Sequence, residues 1–164
     1  MICDPEKSVL TLGQAIAWRE SLRQSGKKLA VTNGCFDLMH RGHATYLAQA
    51  RNCADALLVL INSDESVRSL KGPTRPLVSE TDRAYLLASL RAVDRVVIFN
   101  SSRCDKELAA LVPDVYIKAG DYTLETLAAE EREVLLASDT EIVFMPFVPG
   151  LSTTGIVEKI LQTR

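Results

Sequence analysis

Both histidines of the chain stand three positions apart, in the stretch His40-Arg41-Gly42-His43. This stretch lies within residues 35–47, CFDLMHRGHATYL, directly after a short apolar run. Gly34 permits a tight turn of the backbone, and Gly42 lets a ligand approach the start of the helix that should follow. Free N–H groups and the dipole at a helix start attract anions, and two imidazoles add ring N–H donors. The pattern therefore predicts a phosphate-binding loop.

Two other interpretations of the histidine pair are weaker. A zinc site needs three or four ligands, and only Asp37 stands nearby as a third one. Histidines without a function also occur at helix ends, but a pair at this spacing, beside two glycines, favours a phosphate clamp. The sequence predicts no metal ligand set.

A second phosphate-binding pattern lies near the C-terminus, in residues 150–155, GLSTTG. The hydroxyls of Ser152, Thr153 and Thr154 stand at the start of the last predicted helix, where they and the free N–H groups suit phosphate oxygens. An ordinary N-cap with spare hydroxyls is the alternative for this segment alone. The chain contains neither GxxxxGK[ST] nor GxGxxG, which argues against a P-loop NTPase and a dinucleotide-binding oxidoreductase.

Composition limits the classes of protein that can carry these loops. The 164 residues are 47% hydrophobic and 24% charged, which is typical of one globular domain. The formal net charge of −2 argues against nucleic acid or a membrane surface as a partner. The four cysteines form no CxxC pair, which indicates reduced thiols. With no signal-peptide pattern and no long apolar run, we expect a cytoplasmic protein.

Apolar runs and helical periodicity predict the elements that position these loops. Five strands are expected, at residues 27–33, 56–62, 95–99, 114–118 and 141–146. Helices are expected at residues 11–23, 42–53, 63–70, from about 79, 105–111, 124–138 and 153–162. The helix from about residue 79 should turn four apolar residues inward, which are Leu86, Leu87, Leu90 and Val93.

Strands that alternate with helices indicate right-handed crossovers. The predicted fold class is α/β, a Rossmann-like parallel five-stranded sheet with helices on both faces. Ligands bind beyond the carboxyl ends of such strands. The candidate loops there are residues 34–42, 63–76, 119–123 and 147–153.

Both loop motifs resemble signatures of the nucleotidyltransferase superfamily. NGCFDLMHRGHATYL is similar to its HxGH signature, and GLSTTGIVEKI is similar to its second signature near the C-terminus. The two occur in the expected order, and the resemblance covers about residues 27–161, within the cytidylyltransferase-like group.

Two further stretches, LINSDESVRSLKGPTRPL and VYIKAGDYT, resemble the adenylyltransferase domain of bifunctional heptose-phosphate kinase/adenylyltransferases, which make ADP-heptose for lipopolysaccharide. The family loop reads Lys-Gly-Gly-Asp-Tyr, and Ala119 replaces its first glycine here. The sugar kinase domain is lacking, so the resemblance implies a stand-alone nucleotidyltransferase with residues 1–164 as one domain.

The implied reaction joins an NTP, with ATP favoured, to a sugar 1-phosphate, with D-glycero-β-D-manno-heptose 1-phosphate favoured. Its products are the NDP-sugar and pyrophosphate. The attacking phosphate oxygen is already anionic at neutral pH, because the second pKa of a phosphomonoester is about 6. No general base is needed, and Mg²⁺ is expected to bridge the nucleotide phosphates. The resemblance also implies small-molecule partners and a homodimer.

Residue roles follow from this reaction. The expected catalytic residues, which stabilise charge on the reacting phosphates, are His40, His43 and Lys71. The expected nucleotide-binding residues are Asn33, Gly34, Cys35, Phe36, Gly42, Lys118, Gly120, Asp121, Ser152, Thr153 and Thr154. The expected substrate-binding residues are Asp37, Asn62, Asp64, Arg75, Arg83 and Arg91. Arg83 and Arg91 are eight positions apart and should share a helix face. Asp37 would either structure its loop or approach Mg²⁺.

Two rival functions remain open at this point. Glycerol-3-phosphate and other polyol-phosphate cytidylyltransferases resemble the chain at both signatures. They typically carry an arginine where Phe147 stands and a Gly-Asp-Asp-Trp-like loop in place of AGDY, and both differences favour the heptose substrate. The other rival is a nucleotide-binding regulatory module without turnover, which the intact histidines and hydroxyl loop disfavour.

Overall fold

The structure is a computed structural model that describes residues 4–146 and 150–163. In these residues, six strands form one sheet. The strands are β1 (Val9–Leu10), β2 (Leu29–Gly34), β3 (Ala56–Asn62), β4 (Arg95–Phe99), β5 (Val115–Ala119) and β6 (Glu141–Met145).

Seven α-helices of the described residues alternate with these strands. They are α1 (Leu12–Gln24), α2 (Arg41–Arg51), α3 (Asp64–Lys71), α4 (Glu80–Ala88), α5 (Asp105–Leu111), α6 (Ala129–Ala137) and α7 (Thr153–Gln162). Within the described part of the chain, none of them is both long enough and apolar enough to cross a membrane.

The order of the strands determines where the sheet can bind a ligand. The order is β1-β4-β3-β2-β5-β6, and all neighbouring strands are parallel. From β2 the chain moves outward through β3 to β4, and then returns to place β5 on the other side of β2. This reversal opens a crevice at the carboxyl ends of β2 and β5, where open α/β sheets bind ligands. Asn33 and Gly34 end β2 there, and Lys118 and Ala119 end β5.

Helices cover both faces of the sheet because successive strand residues point to opposite sides. Leu58 and Leu60 belong to a core with residues of α1, α5 and α6. Leu57, Val59 and Ile61 belong to the opposite core with residues of α2 and α4. All seven residues of β3 are buried, as a continuous apolar run predicts for a strand covered on both faces.

The predicted fold class is confirmed, with six strands in place of five. The strand that the sequence did not predict is β1, at the edge of the sheet. It has two residues, too few for either an alternating pattern or an apolar run.

Two predicted details of the helices are wrong. The helix expected from residue 124 begins only at Ala129, because residues 123–126 form a turn in which the Thr123 N–H donates to the Thr126 hydroxyl at 2.8 Å. Leu86, expected to face the core, is 46% exposed. Its neighbour Leu87 takes the inward position and is fully buried.

Leu58 should contribute strongly to stability, because its side chain is fully buried in β3. Replacement of a buried leucine removes apolar contacts and leaves a cavity, so Leu58→Ala should lower the free energy of unfolding by about 2–5 kcal/mol. Leu136 is 55% exposed and supplies the control. Leu136→Ala should change that free energy by less than about 0.5 kcal/mol. Urea unfolding followed by circular dichroism compares the two variants, and equal losses would contradict the assignment of the core.

Candidate active site

The side chains of the two histidines accept backbone hydrogen bonds at the start of α2. His40 is the N-cap residue, and its Nδ1 accepts the backbone N–H of Gly42 at 3.1 Å. The Nδ1 of His43 accepts the backbone N–H of His40 at 3.4 Å. The two rings stack with their centroids 4.0 Å apart. Because each Nδ1 is an acceptor, a neutral ring carries its proton on Nε2, which is left to donate to a ligand.

His43 is neutral at physiological pH. Burial lowers its pKa from 6.5 to about 4, and the nearby charges of His40 and Lys71 contribute in the same direction. A neutral imidazole can donate one hydrogen bond from Nε2 but supplies no full positive charge. The positive charge at this helix start must therefore come from the helix dipole and from lysine or arginine side chains.

Two glycines near the histidines are required by close packing. A Cβ atom on Gly42 would lie 2.9 Å from the His40 ring, so only glycine lets that ring fold back over the helix start. A Cβ atom on Gly34 would lie 2.9 Å from the Phe36 ring. That ring in turn packs against the ring of His43 at 5.4 Å between centroids. The glycines thus position the aromatic and imidazole rings, in addition to the turn that the sequence suggests.

Two cavities meet at the carboxyl edge of the sheet. We call them the strand-side cavity, of about 380 Å³, and the helix-side cavity, of about 570 Å³. The strand-side cavity lies over the ends of β2, β3 and β5, and the helix-side cavity lies between the starts of α2 and α7. Their shared wall consists of His43, Tyr46, Lys71, Ala119 and Thr153.

The structure brings most of the predicted residues to these cavities. Those that line the strand-side cavity are Asn33, Gly34, Cys35, Phe36, Asp37, His43, Asn62, Lys71, Lys118 and Thr153. Those that line the helix-side cavity are His40, Gly42, His43, Lys71, Ser152, Thr153 and Thr154. Phe147 and the rest of the predicted loop at 147–149 lie outside the described residues.

The start of α7 is tied to the histidine loop. The Ser152 hydroxyl oxygen caps α7 by accepting the Gly155 N–H at 3.0 Å. The Thr153 hydroxyl donates to the backbone carbonyl of Leu38 at 3.3 Å. Ser152 is therefore an N-cap residue, the alternative that its sequence position allows, and it also lines the helix-side cavity. Two helix starts thus line the same cavity.

Asp37 and Arg75, predicted to bind substrate, bind each other instead. The Arg75 guanidinium donates to the Asp37 carboxylate at 2.8 Å. The backbone N–H groups of Leu77 and Val78 donate to the other carboxylate oxygen at 2.7 and 3.0 Å. Burial acts to raise the pKa of Asp37, but the hydrogen bonds from Arg75 and the backbone outweigh it and hold that pKa below its ordinary value. Asp37 therefore structures its loop through three hydrogen bonds, which is one of the two roles that the sequence allows for it.

Arg83 is a second correction. The sequence predicts a substrate-binding role, but the side chain is fully buried and every donating nitrogen has a protein partner. Its guanidinium donates to the carbonyls of Cys35 at 2.6 Å and Asn62 at 2.9 Å. It also donates to the carbonyl of Val78 at 3.0 Å and to the carboxylate of Asp64 at 2.7 Å. Arg83 and Asp64 therefore hold the site loops together, and four of the five N–H donors of Arg83 are engaged within the protein.

Arg91 does not share a helix face with Arg83, because α4 ends at Ala88. Its side chain is exposed and lines neither cavity, as far as residues 4–146 and 150–163 define them. Gly120 and Asp121 also lie outside both linings. Gly120 adopts a φ of +115°, a backbone conformation that favours glycine, at the exit from β5.

Ten residues that line the cavities received no individual role from the sequence, although five of them lie in its candidate loops. They are Tyr46, Leu70, Ser102, Arg103, Ala119, Tyr122, Glu131, Pro146, Gly150 and Leu151. A signal existed for Ser102 and Arg103, because they follow β4 and so lie at a carboxyl end of the sheet. No comparable signal existed for Glu131, which lies inside α6 and reaches the cavity from a helix.

The described residues include no group of three or more His, Cys, Asp or Glu that could hold a metal ion. Cys35, Cys53 and Cys104 are free thiols. Burial, followed by the charge of Glu131, raises the pKa of the Cys104 thiol well above its ordinary value. Cys104 is therefore a neutral core residue and not a nucleophile.

The parallel sheet with a cleft at its switch point defines an α/β protein of the Rossmann-like class. More specifically, the chain belongs to the cytidylyltransferase-like family, whose model matches residues 31–159. The resemblance seen in the two sequence signatures is thereby confirmed.

Among curated proteins, the chain is 46% identical over 157 residues to the bifunctional protein HldE of Citrifermentans bemidjiense, covering 96% of this chain and 31% of that protein. It is 45% identical over 145 residues to the bifunctional protein HldE of Helicobacter pylori strain J99, covering 88% of this chain and 30% of that protein. The chain thus spans about a third of the length of these relatives.

A solved structure with a similar fold is that of a lipopolysaccharide core biosynthesis protein from Thermoplasma volcanium. The TM-score is 0.61 at 22% identity, covering 75% of this chain and 98% of that one. At this identity the likeness supports the fold alone.

The lowered pKa of His43 should make stability depend on pH. Between about pH 6.5 and 4 the unfolded chain protonates this histidine while the folded protein does not. The unfolded state then binds more protons, so the free energy of unfolding falls as the pH falls through this window. Above about pH 6.5 the effect is absent.

His43→Gln removes this titration and serves as the comparison. The difference in unfolding free energy between the wild type and the variant should be constant from pH 7 to 8 and should shift against the wild type below pH 6. Urea titrations at half-unit pH steps measure it. If the unfolding free energies of the wild type and the variant differ by a constant amount down to pH 4, the pKa of His43 is not lowered.

Proposed function

We propose that the chain is a nucleotidyltransferase that joins ATP to D-glycero-β-D-manno-heptose 1-phosphate. An oxygen of the sugar phosphate attacks the α-phosphorus of ATP and forms a new P–O bond. The bond between the α-phosphorus and the bridging oxygen breaks, and pyrophosphate leaves with that electron pair. ADP-heptose and pyrophosphate are the products.

The observation that carries this proposal is the pair of helix starts facing one cavity. The starts of α2 and α7 both line the helix-side cavity, so the partial positive charge of both helix dipoles lies beside it. His40 and His43 add Nε2 donors from the α2 side, and Thr153 and Thr154 add hydroxyls from the α7 side. One helix start is sufficient to bind a single phosphate group. A triphosphate has enough oxygens to contact both helix starts. We therefore assign the helix-side cavity to the nucleotide.

The second substrate is assigned to the strand-side cavity. Lys71 and His43 line both cavities, so the reacting phosphates are expected to meet at this shared wall. There, backbone N–H groups near Cys35 and Phe36 would reach the α-phosphate. Lys118 and Asn33, which the sequence assigns to the nucleotide, line only the strand-side cavity among the described residues, and in this proposal they serve the sugar phosphate.

Catalysis in this arrangement consists of alignment and charge stabilisation. Neutral His43 donates a hydrogen bond to the phosphate oxygens on which charge builds. Lys71 supplies the positive charge that a neutral imidazole lacks. No residue needs to remove a proton from the acceptor, since its phosphate oxygen is ionised at neutral pH.

The choice of ATP and a heptose phosphate is supported by sequence similarity. The curated relatives are named bifunctional proteins HldE, and the match is confined to about a third of their length, which fits one of two activities. The solved relative is named a lipopolysaccharide core biosynthesis protein. The stretches NSD, KGPTRP and KAGDY resemble the adenylyltransferase domain of heptose-phosphate enzymes.

The proposal has four further parts. Residues 1–164 act as one nucleotidyltransferase domain, in the cytoplasm, as a homodimer. Mg²⁺ would accompany the nucleotide; Asp37 is the carboxylate nearest the histidine loop, and it already accepts three hydrogen bonds from Arg75 and two backbone N–H groups. The chemistry that Mg²⁺ supplies is to neutralise phosphate charge.

A matrix of nucleotides and phosphates tests the proposed reaction. ATP, CTP, GTP and UTP are each combined with D-glycero-β-D-manno-heptose 1-phosphate and with glycerol 3-phosphate, and pyrophosphate release is measured. ATP with the heptose phosphate should give the highest kcat/KM, because sites that hydrogen-bond a substrate discriminate by up to about 10⁴-fold. A maximum for CTP with glycerol 3-phosphate would make the chain a polyol-phosphate cytidylyltransferase. Nucleotide binding without turnover of any pair would make it a regulatory module.

His43→Ala should lower kcat by about 10²–10³-fold, the usual effect of losing one donor to a charged transition state. The variant should still fold, since His43 caps α2 through a single long hydrogen bond. Arg41→Ala, at an exposed position in the same turn, is the matched control and should retain wild-type kcat. More than half of the wild-type activity in His43→Ala would remove the histidine from the mechanism.

A further inference from the structure

A buried carboxylate lines the strand-side cavity and has no role in the phosphate chemistry. Glu131 of α6 is only 3% exposed. Its Oε1 accepts hydrogen bonds from the backbone N–H of Cys104 at 3.3 Å and from the Cys104 thiol at 3.4 Å. Its Oε2 accepts from the Tyr116 hydroxyl at 3.4 Å and lies 3.8 Å from the Lys118 ammonium.

The contacts of Glu131 with nitrogen and oxygen donors are all long for a carboxylate. Charge-assisted hydrogen bonds to carboxylates are typically about 2.7–2.9 Å from nitrogen and shorter from oxygen. The nearby donors instead favour Asn33, whose Oδ1 accepts from Lys118 at 2.7 Å and from Tyr116 at 2.8 Å. A carboxylate offers about four acceptor sites. Glu131 therefore retains the capacity to accept a shorter and stronger hydrogen bond from a ligand in the cavity.

The contacts within the protein do not explain why position 131 holds a glutamate and not a glutamine. The amide oxygen of a glutamine could accept from the backbone N–H and the thiol of Cys104, and its NH₂ could donate to the Tyr116 hydroxyl oxygen. A buried carboxylate, by contrast, carries a large desolvation penalty. The weak ion pair with Lys118 at 3.8 Å is the one charged contact that the described residues give it, and that lysine has a closer partner.

The position of Glu131 in the cleft indicates the chemistry of its ligand. It lines only the strand-side cavity, whereas Lys71 and His43 line the wall shared with the helix-side cavity. A phosphate group is attracted to Lys71 at that wall. Lys118 and Arg103 also line the strand side, but Lys118 is engaged with Asn33 and Glu131, and the Glu131 carboxylate repels a phosphate at that end. A hydroxyl group can donate to the carboxylate. A molecule with a phosphate at one end and hydroxyls at the other therefore fits this cavity in one orientation.

We propose that Glu131 accepts a hydrogen bond from a hydroxyl group of the acceptor sugar phosphate and thereby selects polyhydroxylated acceptors. The inference rests on the proposed function, because that function places the acceptor in the strand-side cavity. It adds a specificity-determining residue that lies outside both sequence signatures. Glu131 binds the body of the acceptor, while the charge stabilisation at phosphorus is left to other residues.

The test combines a variant with modified acceptors. Glu131→Gln keeps the size of the side chain and one acceptor oxygen for Cys104. Glu130→Gln, at an exposed position on the same helix, is the matched control. Acceptors are mannose 1-phosphate and its monodeoxy analogues, together with the heptose phosphate, and kcat/KM is measured by pyrophosphate release.

In the wild type, removal of one particular hydroxyl should lower kcat/KM for the acceptor by about 10- to 100-fold, the usual range for a hydrogen bond to a charged group. Glu131→Gln should show the same loss with the complete sugar and no further loss with that one deoxy analogue. The KM for ATP should stay within twofold of the wild type. Glu130→Gln should behave as the wild type throughout.

Several results would overturn the inference. An equal loss with every acceptor would show that Glu131 only supports the structure. A raised KM for ATP with an unchanged KM for the acceptor would assign it to the nucleotide. If Glu131→Gln fails to fold, the deoxy series on the wild type can still refute the proposal. It does so if removal of each hydroxyl in turn lowers kcat/KM by less than tenfold.

Failure of the proposed function remains distinguishable from failure of this inference. The former appears in the wild-type matrix of nucleotides and phosphates. The latter appears only in the dependence of the Glu131→Gln effect on the acceptor's hydroxyls, which can be measured with whichever hydroxylated acceptor the wild type uses.

Discussion

The geometry of the cleft depends on one buried guanidinium. Arg83 of α4 donates to backbone carbonyls at the exits of β2 and β3 and in the loop that follows α3. An arginine has five N–H donors in a planar fork, so it can hold three segments at fixed angles. A buried charge is costly unless it is paired, and here the carboxylate of Asp64 accepts the fourth hydrogen bond from the guanidinium. Pairing of β2 with β3 sets the spacing of the two strands, and Arg83 fixes the loop that follows α3 to their exits through these contacts.

The residues that cap α2 and α7 have two functions. They stabilise the helix starts, and they present hydrogen-bond donors to a ligand. His40 caps α2 through Nδ1, which fixes the ring and turns Nε2 away from the helix. Ser152 caps α7 in the same way, and Thr153 then joins the two helix starts through the carbonyl of Leu38. A substitution at these positions therefore alters the fold locally and the site together, so that activity and stability must be measured on the same variant.

Sequence reasoning succeeded where the signal is local and failed where a partner is distant in sequence. The apolar run of β3, the cap of α7 and the histidine loop are each encoded within about ten residues, and all three are found where the sequence predicts them. Asp37 and Arg75 are 38 positions apart, and nothing in either segment indicates that they pair. Glu131 does not lie in a loop at the end of a strand. It reaches the cavity from a helix that covers one face of the sheet, and a search for sequence motifs does not detect a residue in such a position.

The distribution of charge in the cleft follows from the stacking of two imidazoles. Two rings whose centroids lie 4.0 Å apart repel each other strongly if both are protonated. Burial, together with this repulsion, lowers the pKa of His43. Its pKa near 4 keeps it a neutral donor across the physiological range, so its hydrogen bond does not vary with pH there. Lys71 supplies positive charge at the shared wall, and on the strand side the Glu131 carboxylate lies beside Lys118, with Arg103 in the same lining. In the proposed reaction, this distribution would orient an acceptor with its anionic end toward Lys71 and its hydroxyl groups toward Glu131.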